Sequence, residues 1–249
     1  MKKFQGKTII VTGAGKNIGK QIAIDFASEG ANVVVCDYNA EYANQTVAEI
    51  ESMGCCSMAA VCDVRDREKV FECVDTAVTK FGKIDVLVNN AGGSAALLNK
   101  LSKFVDAEPE TLDFVIDTNV KGSMNFAQAV LKPMINQKSG KIINMSSIAA
   151  VCGLKDRVDY SAAKAALIGM TKTLAMEVGE YNICVNCVSP GAIGRDGEQL
   201  ERMTFLGENG RSGSPKDISD MVLFLASQDF ITGQNFIVDG GRTLGPGPR

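Results

Sequence analysis

A chain of 249 residues with 45% apolar content has material for one large domain with a substantial core. Its net charge of −3 argues against nucleic acid or an anionic membrane as the main partner, and no unbroken apolar run is long enough to span a bilayer. Histidine is absent altogether, which removes Ser-His-Asp hydrolysis and His-Glu-x-x-His metal chemistry.

Short β-branched runs alternate with stretches of helical periodicity. Residues 7–11 read as the first strand, followed by a glycine turn and a helix over 18–28. A strand at 32–36 precedes a helix at 41–53, and a strand at 58–62 precedes a helix at 68–81. Strands at 84–88, 141–145, 183–188 and 235–238 complete the set, with helices at 110–137, 160–179 and 216–226 among them. Seven strands joined by helical crossovers predict a Rossmann-type α/β fold, a doubly wound parallel sheet between two helical layers, in one domain over residues 1–249. Two stretches break the alternation, at about 92–109 and 190–215. Both follow strands, at the carboxyl edge where open α/β sheets bind ligands, so they are expected to be substrate loops. In the second, residues 198–206 read as a short amphipathic helix presenting Leu200, Met203, Phe205 and Leu206, either to a ligand or to its own domain.

Eight cysteines accompany an N-terminus that leads into a strand rather than an apolar export signal, so a cytoplasmic protein with reduced thiols is expected. Cys184 and Cys187 have C-x-x-C spacing, but they lie in a strand-like run without a second pair or a histidine. A structural role follows, and no metal is expected.

Two constellations carry chemistry. Thr12-Gly-Ala-Gly-Lys-Asn-Ile-Gly19 follows the first strand and opens the first helix, the context in which a backbone turn approaches a pyrophosphate. Asp37 closes the second strand, where a carboxylate accepts hydrogen bonds from ribose hydroxyls and repels a 2′-phosphate. This favours NAD over NADP, although Lys16 in the turn pulls toward the phosphate. The second constellation is Tyr160-Ser-Ala-Ala-Lys164, which places a phenol and an ammonium on one helix face. A free phenol ionises near pH ~10; a fixed cation lowers that value and tunes the group for proton exchange with an alcohol or ketone. An isolated Tyr-x-x-x-Lys is usually an ordinary surface pair, so its weight comes from the company it keeps.

With Thr12-Gly…Gly19, Asn89-Asn-Ala-Gly92, Ser147, Tyr160…Lys164 and Pro190-Gly191 present in order, the whole chain resembles the short-chain dehydrogenase/reductase family in its compact branch. The resemblance implies that Tyr160 is the acid/base, that Lys164 lowers its pKa and holds the nicotinamide ribose, and that Ser147, rather than Ser146, hydrogen-bonds the reacting oxygen. It implies that Asn119 helps to hold a water-mediated proton relay to the lysine. Gly13, Lys16, Asn17, Ile18 and Gly19 would form the phosphate turn, and Asp63 and Val64 would flank the adenine. Asn89, Asn90, Ala91 and Gly92 would line the cofactor, and Pro190, Gly191 and Ile193 would border the nicotinamide. Hydride would pass directly between nicotinamide and a secondary alcohol or ketone, without a metal.

Three departures from the family pattern stand out. Asn17 occupies a position usually held by glycine, and asparagine tolerates left-handed backbone best among residues with a Cβ. Arg195 replaces a frequent threonine, and the stretch between Gly92 and Asn119 is longer than usual. Substrate stays open among steroids, sugars or polyols, hydroxy acids and 3-oxoacyl carriers, with pocket residues expected at 94–98, 149–154 and 194–206. A catalytically idle dinucleotide-binding protein and a nucleotide-sugar epimerase or dehydratase are the other classes. The first is disfavoured by the intact Asn119, Ser147, Tyr160, Lys164 set, the second by the turn and the lack of an added substrate domain. The resemblance further implies a homotetramer or dimer built by pairing helices 110–137 and 160–179.

Overall fold

The computed structural model describes residues 2–194, 204–206 and 210–245. Among them the chain runs β1 (Thr8–Thr12), α1 (Asn17–Ser28), β2 (Asn32–Asp37), α2 (Ala40–Ser52), β3 (Ser57–Val61), α3 (Arg67–Phe81) and β4 (Val86–Asn89). It continues through α4 (Pro109–Ile116), α5 (Gly122–Gln137), β5 (Gly140–Met145), α6 (Ala149–Cys152), α7 (Val158–Val178), β6 (Ile183–Pro190), α8 (Pro215–Ala226) and β7 (Asn235–Val238). The strands form one sheet in the order β3-β2-β1-β4-β5-β6-β7, and every pairing is parallel. This is the Rossmann-type doubly wound sheet expected from the alternating pattern.

Alternation along each strand builds two cores. Ile9, Val11, Val33 and Val35 face one way and pack with Ile22 and Phe26 of α1, Ile50 of α2 and Val222 of α8. Ile10, Val34, Leu87 and Ile142 face the other way and pack with Val70 and Val74 of α3, Phe126 and Val130 of α5, and Val178 of α7. A strand of period two buried on both faces reads as a continuous apolar run, which is how these strands appear in the sequence. The order reverses at β1, which pairs with β2 on one side and β4 on the other. The carboxyl ends of these strands diverge at that switch point and open a crevice for a ligand.

Several details depart from the expectations. The helix expected over 110–137 is two helices, α4 and α5, joined by a π turn at Asp117–Lys121. The side-chain amide of Asn119 donates to the Val115 carbonyl at 2.8 Å, the acceptor that an unbroken α-helix would offer to the Asn119 backbone. Helix α7 begins at Val158, two residues earlier than the 160 expected, and the short helix α6 follows β5. The helix expected over 198–206 falls outside the described residues apart from 204–206, which form bends, and Arg195, Leu200 and Met203 likewise lie outside them.

Candidate active site

The turn after β1 is braced before any ligand arrives. The Thr12 hydroxyl oxygen accepts from the amides of Asn90 at 3.0 Å and Ala91 at 2.9 Å. The Asn90 side chain donates back to the carbonyls of Thr12 at 2.9 Å and Gly13 at 3.1 Å. Asn90 thus ties the end of β4 to the turn across the switch point. Gly19 lies against this brace: a Cβ there would collide with the Gly13 carbonyl oxygen and stand 2.5 Å from Asn90 Nδ2. Asn17 adopts φ 49°, the left-handed backbone that glycine would otherwise supply.

The turn fits an anion. Helix α1 starts at Asn17 without a side-chain cap from Lys16 and without an acidic residue in its first turn. Its leading amides and the positive end of its dipole are therefore left to a ligand, and Ile18 and Gly19 lie in that first turn. The Asn17 Oδ1 atom is buried without a hydrogen-bond partner, an acceptor that a ligand hydroxyl or water would satisfy. The Lys16 ammonium sits 3.6 Å from the centre of the Tyr42 ring.

Asp37 is buried at the end of β2, with Oδ2 accepting from the Gly15 amide at 2.9 Å and Oδ1 from the Asn39 amide at 3.0 Å. A carboxylate has about four lone-pair sites, so acceptor capacity remains for a pair of ribose hydroxyls. Asp63 is gripped by the Arg65 guanidinium at 2.6–3.1 Å, which holds its carboxyl below the ordinary range. Arg65 in turn lies 5.0 Å from the Phe114 ring centre, linking this corner to α4. Val64 fills the space left by the absent side chain of Gly122, whose Cβ would collide with Val64 Cγ2.

Asn89 differs from its neighbours. Its side chain is buried beneath the cleft floor, donating to the Ser123 carbonyl at 3.1 Å and to Asn144 Oδ1 at 2.9 Å. Asn144 continues the chain to the Thr171 hydroxyl at 2.9 Å, tying β4, β5 and α7 together. Among the expected cofactor-lining residues, Asn89 and Asn90 therefore act through the frame, and Ala91 and Gly92 remain at the surface of the crevice.

The four expected catalytic residues come from three places: Asn119 from the π turn, Ser147 from the loop after β5, and Tyr160 and Lys164 from α7. Asn119, in the π turn, is fully buried and clasps Gly93: its amide donates to the Gly93 carbonyl at 2.8 Å, and its Oδ1 accepts from the Gly93 amide at 3.1 Å. Gly92 stands over this clasp, where a Cβ would collide with Asn119 Oδ1 and lie 3.1 Å from Lys164 Nζ. Lys164 donates to the Met145 carbonyl at 2.7 Å, and its Nζ lies 5.6 Å from the Tyr160 ring centre. Burial lowers the Lys164 pKa from its ordinary 10.5 to about 8. The neighbouring Cys187 thiol, pushed up to about 11 by its own burial, supplies no anion to reverse that. Tyr160 is partly buried against Ala95, Val115 and Ala163.

The two adjacent serines divide their work. Ser146 donates to the Lys164 carbonyl at 2.7 Å and so anchors α7. The Ser147 oxygen accepts from the Ala149 amide at 3.1 Å, which leaves its own proton to be donated. On the far wall, the Pro190 carbonyl accepts from the Ile148 amide at 3.0 Å, and the Gly191 amide donates to Val238 at 2.9 Å. Ile193 forms an isolated parallel bridge with Gly213, in which Gly213 bonds to Ala192 and Gly194. The Ile193 amide and carbonyl are consequently turned away from that bridge.

Sequence reasoning passed over Thr12, Gly93, Asn144 and Thr171. Asn144 had a signal, a polar residue between Ile143 and Met145 in a strand buried on both faces. Gly93 had none, because its role exists only through contact with Asn119.

A Rossmann sheet with an anion-binding turn at its switch point and a Tyr-Lys pair beside the same crevice is the frame of a dinucleotide-dependent oxidoreductase. The family model described as enoyl-(acyl carrier protein) reductase matches residues 13–243. A 3-oxoacyl-[acyl-carrier-protein] reductase of Thermotoga maritima is 39% identical over 250 residues, covering 97% of this chain and 100% of its own. The crystal structure of an NAD+-bound xylitol dehydrogenase superposes with a TM-score of 0.87 at 33% identity, covering 96% of this chain and 100% of its own. A 7 alpha-hydroxysteroid dehydrogenase complexed with NADH and 7-oxo glycochenodeoxycholic acid superposes at 0.86 with 34% identity, covering 96% and 94%. The chain belongs to the short-chain dehydrogenase/reductase family and is an NAD(P)-dependent oxidoreductase acting on CH–OH and keto groups.

Proposed function

We propose that this protein interconverts a secondary alcohol and a ketone with Tyr160 as the proton donor and acceptor. The carrying observation is the convergence of Lys164 Nζ and Asn119 Oδ1 at Gly92, with the Lys164 ammonium held under the Tyr160 ring. Bound nicotinamide supplies or accepts the hydride. Tyr160 passes the proton at its phenolic oxygen, and Ser147 donates a hydrogen bond to the reacting oxygen as charge develops there. Lys164, fixed by the Met145 carbonyl, stabilises the phenolate and binds the ribose. Asn119 acts through its grip on Gly93, which sets the floor of the crevice. Pro190, Gly191 and Ile193 form the wall beside the nicotinamide, where the outward-turned Ile193 amide is suited to a carboxamide.

NAD is the preferred cofactor. Support comes from the buried Asp37 carboxylate at the end of β2 and from Lys16 resting on Tyr42. Asp63 and Val64 flank the adenine. The chain works as one domain in the cytoplasm and assembles as a homotetramer or dimer through α4, α5 and α7; the exposed Met124 on α5 and Met176 on α7 fit burial against a second copy.

Replacing Tyr160 by phenylalanine tests the central assignment. Reduction of ketones, followed as loss of reduced-cofactor absorbance, is expected to fall by about 10²–10⁴-fold, while cofactor affinity changes little. Retention of most of the activity would refute Tyr160 as the proton donor.

A further inference from the structure

Arg157 is the last residue before α7, and its guanidinium donates to the Ser94 hydroxyl at 2.7 Å. Among the described residues no carboxylate pairs with it, not even the flanking Asp156 and Asp159. A guanidinium presents five donors in a planar fork suited to a carboxylate, and Ser94 occupies one of them. Ser94 itself is buried and fixed by the Ala96 amide at 3.4 Å. The hydrogen bond thus sets the direction of the guanidinium and leaves its charge unanswered.

The position gives this charge a purpose. Arg157, the N-cap of α7, precedes Tyr160 by three residues, so it stands at the same end of the helix as the phenol. Ala95, next to Ser94, packs in the small cluster that holds the Tyr160 ring. Ser94 also follows the Gly92–Gly93 floor by one residue. The cation and its support therefore border the same crevice as the reacting oxygen.

Taking Tyr160 as the proton donor, on which this step rests, we infer that Arg157 anchors the carboxylate of a short oxo or hydroxy acid substrate and determines specificity for it. A group held by Arg157, whose guanidinium rests on Ser94 next to the cluster around Tyr160, lies only a few bonds from the carbonyl being reduced. A 3-oxo acid meets that spacing. The phosphates of a carrier-borne thioester lie a whole pantetheine arm away from their carbonyl and do not. A neutral ester or thioester would leave the fork without an anion, and buried or half-buried charge favours a charged, bidentate partner.

The experiment compares acetoacetate and 3-oxopentanoate with their methyl esters and with acetoacetyl-N-acetylcysteamine, using NADH and NADPH, in the wild type and in Arg157→Gln and Arg157→Lys. Malonate and inorganic phosphate binding by calorimetry to the cofactor-loaded protein provides a readout independent of turnover. The wild type is expected to prefer acids over esters in kcat/KM by at least about tenfold. That ratio should collapse in Arg157→Gln and recover in part in Arg157→Lys, with malonate binding weakened about tenfold in the glutamine variant. Turnover of esters or the thioester with no acid preference in the wild type would overturn the inference while leaving Tyr160 chemistry standing. Phosphate bound in preference to malonate, or malonate binding unaffected by Arg157→Gln, would overturn it too. Malonate binding that depends on Arg157, without turnover of any compound, would support the anchor and count against the proposed chemistry. Absence of both turnover and malonate binding would remove the anchor altogether.

Discussion

Lys164 carries a charge that folding removes from water, and the pH dependence of stability should report it. Its pKa falls from 10.5 to about 8 through burial, so at neutral pH the folded chain still holds the ammonium, at a desolvation cost that the unfolded chain does not bear. The sign follows from proton counting. Between pH ~8 and ~10.5 the unfolded chain binds the proton and the folded one has released it, so this residue's contribution to stability rises with pH across that window. With these two values the gain between pH 7 and pH 10 is about 2.5 kcal/mol. In Lys164→Met the titrating group is gone. The variant also leaves the Met145 carbonyl without its 2.7 Å donor, at a cost of about 1–3 kcal/mol that is the same at every pH. The comparison is therefore one of slopes. Urea unfolding of the cofactor-free protein at pH 7, 8.5 and 10 should show wild type gaining about 2.5 kcal/mol on the variant. A difference that stays constant within about 0.5 kcal/mol, or that moves in the opposite direction, would mean that the Lys164 amine is solvated in the folded chain.

Three further outcomes follow from the site. Gly19→Ala would drive a Cβ into the Gly13 carbonyl and the Asn90 brace; cofactor titration should show affinity lost by at least about tenfold with the fold retained by circular dichroism. Asp37→Ala should narrow the ratio of NAD to NADP utilisation by at least about tenfold, and an unchanged ratio would mean that another group reads the 2′ position. Asn119→Ala would release Gly93 and strand the Val115 carbonyl, lowering stability by about 2–3 kcal/mol in urea titration and reducing kcat. Stability within about 0.5 kcal/mol of wild type would refute the clasp.

Local pattern was sufficient for the sheet because a doubly wound strand is buried on both faces and writes itself as an apolar run, as in Thr8–Thr12 and Asn32–Asp37. The phosphate turn was equally legible. Its glycines, and Asn17 at φ 49°, answer to backbone geometry within a few residues, and such demands are recorded where they act. Pairing of Tyr160 with Lys164 needed only the pitch of a helix. Tertiary structure decided what depends on residues distant in sequence. The break at Asp117–Lys121 arises because Asn119 turns its amide to Gly93, 26 residues away, and to Val115. Side chains of Asn89 and Asn90, adjacent in sequence, part into the sheet and the turn because β4 ends at Asn89 and the chain bends at Asn90, whose amide is 3.0 Å from the Val88 carbonyl. The ammonium of Lys164 and the charge of Arg157 look alike as letters. Packing buries the first beneath Tyr160 and points the second, through Ser94, to the crevice, because burial and direction belong to the assembled neighbours and not to the residue itself.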